Sequence, residues 1–187
     1  MKEIEILVEV YDNIQYIKDA LKKYQYVGKK HIIDEYYYDP KRKDLQPDEN
    51  NRLLHCLRLR NKNGEYYITY KDDIFENGKW IYSDEYETEV KSIEILREIL
   101  QKLGLKKFIE IDNIKEIYKS KKYEIVIENV KNLGVFLEVE HCGDSEINVK
   151  IIKKEIQEFI NSLNIKVSDE LNMGKPEMYL RKKGINI

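Results

Sequence analysis

The feature that most constrains this chain is a charge pattern at period two, repeated in four separate segments. Residues 3–10 place Glu3, Glu5, Leu7 and Glu9 on one face and Ile4, Ile6, Val8 and Val10 on the other. Residues 52–62 set Cys56, Arg58 and Arg60 against His55, Leu57 and Leu59. Residues 85–90 set Glu85, Glu87 and Glu89 against Tyr86, Thr88 and Val90. Residues 136–142 set Phe136, Glu138, Glu140 and Cys142 against Leu137, Val139 and His141. Successive side chains of a strand point to opposite faces, so each segment reads as a strand with one apolar and one charged side. Further strands are expected near 31–38, 65–71, 108–118 and 122–129, which makes eight. Asn63-Gly64 is a two-residue hairpin signal; Asn77-Gly78 reads as a looser turn, and Asn132 with Gly134 as another. Short links of this kind make neighbouring strands antiparallel.

Three segments switch to helical period: 12–24 after an Asp12 cap, 93–103 after a Ser92 cap and ending at Gly104, and 148–163. Residues 169–183 read as a fourth helix, interrupted around Gly174 and Pro176. Nothing in the chain has the composition of a linker, so residues 1–187 are expected to form a single α+β domain: an eight-stranded antiparallel barrel or tunnel with helices packed outside. With 33 Lys and Arg against 35 Asp and Glu, the net charge is −2, which argues against a nucleic-acid coat. Cys56 and Cys142 stand far apart without a CxxC, so neither a zinc cluster nor a disulfide scaffold is expected. No apolar run approaches the length of a membrane span, and the alternating N-terminus lacks a signal-peptide core. The expected location is the cytoplasm.

Like charges two apart on one strand, and again on its neighbours, repel unless something compensates them. Eight strands closed into a barrel can hold one ligand inside. If the charged face lines such an interior, its carboxylates require divalent cations and its Arg and Lys require an anion. A hard cation held by a few carboxylates and by substrate phosphates meets both demands.

At these residues the sequence resembles the CYTH superfamily of triphosphate tunnel metalloenzymes, and within it the class IV adenylyl cyclases. Glu3-Ile4-Glu5-Ile6-Leu7 is similar to the opening Glu-x-Glu-x-Lys, with Leu7 in place of the lysine. Glu35-Tyr36-Tyr37-Tyr38-Asp39, Leu57-Arg58-Leu59-Arg60, Thr69-Tyr70-Lys71 and Glu85-Tyr86-Glu87-Thr88-Glu89-Val90 follow in the family's order. Leu133-Gly134-Val135-Phe136-Leu137-Glu138-Val139-Glu140 resembles the closing signature. The family's Lys-x-Arg-x-x-Tyr becomes Asn113-Ile114-Lys115-Glu116-Ile117-Tyr118, and the arginine ahead of the acidic strand has no counterpart. The acidic half of the site is thus retained and the basic half depleted by about three groups.

The resemblance implies that Glu3, Glu5, Glu138 and Glu140, with Glu87 and Glu89 opposite, hold Mg²⁺ or Mn²⁺. It implies that Arg58, Arg60 and Lys71 act in catalysis and, with Lys115, hold the phosphates. The reaction it implies is ATP to cyclic AMP and pyrophosphate. Hydrolysis of inorganic or organic triphosphate is the alternative, and nucleotide or polyphosphate binding without turnover is a third reading of another class. A nucleoside triphosphate or inorganic triphosphate is the expected ligand, and the resemblance makes a homodimer plausible. His31, His55 and His141, Trp80 and Tyr36–Tyr38 read as packing or surface residues, Cys56 and Cys142 as small interior fillers, and Lys121-Lys122 and Lys153-Lys154 as solvated faces.

Overall fold

The computed structural model describes residues 2–143 and 148–184. Nine strands form one antiparallel sheet: β1 (Lys2–Glu3), β2 (Glu5–Glu9), β3 (Gln25–Tyr38), β4 (His55–Lys62), β5 (Glu65–Glu76), β6 (Lys79–Val90), β7 (Lys106–Lys119), β8 (Tyr123–Val130) and β9 (Gly134–His141). Their spatial order is β1-β6-β5-β4-β3-β7-β8-β9-β2. The two outermost strands are halves of one stretch, interrupted only at Ile4. The chain pairs first with β6 through Glu3↔Ser83, then crosses to β9 through Glu5↔Glu140. The Ile4 carbonyl accepts from the His141 N–H at 3.0 Å during the crossing. Both edges of the curled sheet therefore meet on the same N-terminal segment, and eight long stretches give the expected antiparallel tunnel.

Asn63-Gly64 and Asn77-Gly78 both make two-residue hairpins, closed by Lys62↔Glu65 and Glu76↔Lys79. The second is tighter than its sequence suggested. All four turn residues have φ between 53° and 93°, the left-handed region that Asn and Gly tolerate. Strands β3 and β6 run six residues further toward their N-termini than the alternation showed: the start of β3 is largely exposed and loses the in–out contrast, and the start of β6 buries Trp80 and Ser83 at a spacing of three, which breaks period two.

Helix α1 (Ile14–Leu21) starts from Asn13, whose side chain accepts from the Gln15 N–H; Asp12 instead accepts from Lys166. Helix α2 (Ile93–Lys102) is capped by Ser92 as expected. Helices α1 and α3 (Val149–Ser162) bury Ile17, Leu21, Ile152, Ile156 and Ile160 against the outer apolar faces of β2, β8 and β9. Helix α2 covers Tyr37 and Leu59 on the other side.

The fourth helix, α4 (Lys175–Lys183), begins six residues later than expected, since Pro176 fixes its first turn. Its Tyr179 and Leu180 pack with Leu7, Tyr36, Ile109, Ile111 and Phe136. Those five face the tunnel interior, so α4 and this apolar cluster plug one end of the barrel. Glu177, 2% exposed, accepts from the N–H groups of Leu53 and Gly174 and ties the 39–54 connection to the plug. Glu177→Ala strands both donors and is expected to cost about 1–3 kcal/mol, read as a lower thermal midpoint.

Candidate active site

The charged faces of the strands line a cavity of about 200 Å³, an order of magnitude more than one water needs. Its basic wall comes from β4 and β5. Arg60 makes a two-pronged pair with Asp34 of β3, Nε at 2.7 Å and Nη2 at 2.9 Å. Arg58 Nη2 donates to Thr69, Glu85 and Glu87 at 3.1, 2.8 and 3.2 Å. Its Nε is buried and among the described residues has no hydrogen-bond partner. Lys71 Nζ bonds Glu3 at 2.6 Å and lies 3.8 Å from Glu85.

Across the cavity, Lys115 and Lys175 share two carboxylates. Lys115 Nζ lies 2.7 Å from Glu128, and Lys175 Nζ lies 2.8 Å from Glu138 and 3.0 Å from Glu128. Glu128 is fully buried and also accepts from Asn113 Nδ2 at 2.6 Å; Asn113 Oδ1 is buried and has no partner among the described residues.

The carboxylates fall into two electrostatic classes. Burial opposes ionisation of Glu3 and Asp34, but the Lys71 and Arg60 charges outweigh it and hold each carboxyl at about 2. Burial likewise opposes Glu138, and Lys115 and Lys175 pull it well below the ordinary range. Glu5 and Glu140 go the other way. Burial and then Glu138 push Glu5 well up; burial, Glu3 and Glu138 push Glu140 to about 8. The two are directly opposite in the β2–β9 register, and among the described residues no cation pairs with either.

The profile of the CYTH domain family matches residues 1–172. A Methanocaldococcus jannaschii protein, named "Putative adenylate cyclase", is 31% identical over 99% of this chain and 100% of its own length. The chain belongs to the CYTH family. Its fold matches a Pyrococcus horikoshii protein at TM-score 0.77 and 22% identity, covering 95% of this chain and 99% of that one. It also matches a Hippeastrum protein described as having a dominant triphosphatase activity, at TM-score 0.66 and 14% identity, covering 99% and 97%. CYTH proteins are in general enzymes of the cyclase or triphosphatase kind.

Of the residues singled out in the sequence, Glu3, Glu5, Arg58, Arg60, Lys71, Lys115, Glu138 and Glu140 all line this CYTH tunnel. Glu87 reaches it through Arg58 and Thr69, while Glu89 is exposed and lies outside the lining. Trp80 and Tyr36 line the cavity as well as packing; none of the three histidines does. Cys56 is in the wall, but Cys142 is exposed and fills nothing. Lys153 is not solvated: it pairs with Glu170 and lies over the outer side of Trp80.

The basic half is fuller than the sequence showed. Lys30, Lys62 and Lys175 join the lining, and so do Asp34 and Glu124. Lys30 and Lys62 share inward parity with Asp34 and Arg60, which was a readable signal. Lys175 sits at the start of α4, where no periodicity points to it.

The tunnel's donors for a cation are mainly carboxylate oxygens, with the Asn113 amide and Thr69 hydroxyl oxygens beside them, and hard oxygen donors suit a hard divalent ion. Among the described residues no three acidic groups converge as a ready-made coordination site. That fits an ion held by one or two carboxylates and by substrate phosphate oxygens, the habit of Mg²⁺.

Proposed function

We propose that this CYTH protein is a divalent-metal-dependent adenylyl cyclase, converting ATP to cyclic AMP and pyrophosphate in the tunnel. One observation carries the triphosphate reading: a single cavity holds carboxylates without a paired cation and a buried guanidinium donor without an acceptor. Glu5 and Glu140 lack a cation, and the Arg58 Nε donor lacks an acceptor. A metal–triphosphate supplies both at once, since buried polar groups are costly when unpaired. The cyclase reading among CYTH reactions draws on the relative that is 31% identical.

Mg²⁺ or Mn²⁺ would be held by one or two of the carboxylates Glu3, Glu5, Glu138 and Glu140 together with substrate phosphate oxygens, and would supply Lewis-acid stabilisation of phosphate charge when bound. Arg58 offers its free Nε edge to a phosphate oxygen. Arg60, locked by Asp34, presents its remaining guanidinium face without losing side-chain freedom on binding. Lys71 and Lys115 stand on either side and neutralise charge as pyrophosphate departs. The ribose 3′-oxygen bonds to the α-phosphorus, the α–β bridging bond breaks with its electrons going to pyrophosphate, and the hydroxyl proton leaves to solvent. The apolar plug under Leu7 and Phe136 closes one end, so substrate enters from the other.

The test incubates protein with ATP or inorganic triphosphate plus Mg²⁺ or Mn²⁺ and separates the products. Cyclic AMP with pyrophosphate, lost in Glu140→Gln, is the expected result. Orthophosphate from triphosphate would replace the cyclase by a triphosphatase. Ligand-induced thermal stabilisation with no product would leave a binding module.

A further inference from the structure

Seven basic residues line the tunnel, and five are neutralised within it. Arg58 meets Glu85 and Glu87, Arg60 meets Asp34, Lys71 meets Glu3, and Lys115 and Lys175 meet Glu128 and Glu138. Lys30 and Lys62 are different. Among the described residues neither has a carboxylate at ion-pair distance, and they face each other. Burial, then the Lys30 charge beside it, and then Arg60, lower the proton affinity of the Lys62 ammonium. Its aromatic neighbour is Tyr67, with the ring centroid at 5.6 Å.

Their place along the barrel follows from register. Inward residues of β3 run Lys30, Ile32, Asp34, Tyr36, and those of β4 run Lys62, Arg60, Arg58, Cys56. Tyr36 and Cys56 are at the plug, so Lys30 and Lys62 lie at the opposite end, beside the Asn63-Gly64 hairpin. Lys30 is also directly opposite Lys115 in the β3–β7 pairing. The two lysines therefore continue the line of Arg58, Arg60 and Lys115 toward the open mouth. From Arg58 to Lys62 the strand rises about 13 Å, further than three phosphates reach. Two ammonium groups held together with no carboxylate at ion-pair distance, and only Glu87 offsetting them from further off, raise the free energy of the empty tunnel, and an anion between them relieves it.

We infer that Lys30 and Lys62 form a subsite for a fourth phosphate, so that the tunnel accepts linear chains longer than a triphosphate. The inference rests on the tunnel's being a triphosphate site. The same chemistry is shared by inorganic tetraphosphate and by a nucleoside 5′-tetraphosphate.

Calorimetric titration at fixed Mg²⁺ with inorganic triphosphate, inorganic tetraphosphate and adenosine 5′-tetraphosphate tests it. The native protein is expected to bind a four-phosphate chain at least tenfold tighter than triphosphate. Lys30→Gln with Lys62→Gln is expected to erase that difference and leave triphosphate affinity within about twofold. Lys154→Gln, an exposed charge on α3, controls for net charge and is expected to change neither. The double replacement removes a repulsion, so folding is not at risk. Preference for the inorganic chain identifies a free polyphosphate; preference for the adenosine compound alone identifies a nucleotide. Equal losses for all ligands in the double variant would overturn the subsite and leave only a general field at the mouth. No four-phosphate preference in the native protein would overturn it too, with the triphosphate site standing. Failure to bind triphosphate at all would instead overturn the function on which it rests.

Discussion

Raising the pH of the metal-free protein is expected to destabilise it, and Glu140→Gln is expected to remove much of that dependence. Glu140 has its carboxyl pushed from 4.5 to about 8 by burial and by Glu3 and Glu138. A group whose proton affinity is raised by folding supports the fold while it is protonated. Its contribution is full below 4.5, shrinks as pH rises, and is gone just above 8. The total is on the order of 4 kcal/mol, spread over that window. Glu5, raised by burial and Glu138, adds in the same direction. Thermal midpoints of the native protein should therefore fall steeply between about pH 5 and pH 9, and those of Glu140→Gln should fall less and lie higher at the alkaline end. Divalent cations should reverse the loss. They bind ionised carboxylates, so added Mg²⁺ or Mn²⁺ should stabilise more at alkaline than at acid pH and release protons on binding. Parallel pH slopes for the native protein and Glu140→Gln would refute the placement of an unpaired carboxylate there.

That carboxylate cluster was legible because strands read one face at a time. Glu3, Glu5, Glu138 and Glu140 announce themselves by alternating with Ile, Leu and Val, and so do Arg58 and Arg60. Glu128 did not, since its strand is apolar on both sides and the in–out contrast vanishes: Val126 and Ile127 are both buried. Asp34 was hidden in the same way beside the Tyr36–Tyr38 run, although it locks Arg60. The barrel was expected, but how the sheet closes was not legible. The segment 3–10 reads as one strand, and only the positions of the two sheet edges force it to break at Ile4 and serve both. Glu89 shows the converse error: it has the right parity, but its strand leaves the cavity before reaching it. Periodicity gives the face of a strand, not how far along that strand the cavity extends.

Lys175→Ala is expected to lower kcat/KM by about 100-fold, and Leu7→Lys added to it is expected to restore a large part. The CYTH resemblance puts a lysine where this chain has Leu7, and Leu7 is paired in register with Glu138. Lys175 Nζ lies 2.8 Å from that same Glu138. The ammonium that the N-terminal strand does not deliver thus reaches the acidic wall from α4. Losing a charge-assisted contact to a transition state costs about 1.5–3 kcal/mol, which corresponds to roughly 10–150-fold in rate. Lys175→Ala also leaves Glu138 with Lys115 alone, at 3.4 Å, so some loss of fold stability accompanies it. The rescue separates the two effects. Leu7 is 2% exposed, at the border of the plug and directly across from Glu138, so a lysine there starts beside that carboxylate but must find room among the plug's apolar side chains. If it does, the ammonium returns from the other strand and activity recovers even where the thermal midpoint does not. If Lys175→Ala loses stability but keeps kcat/KM, Lys175 is a structural counter-ion to Glu128 and Glu138 and takes no part in binding phosphate; if Leu7→Lys recovers nothing while both variants remain folded, the ammonium from position 7 does not replace that of Lys175.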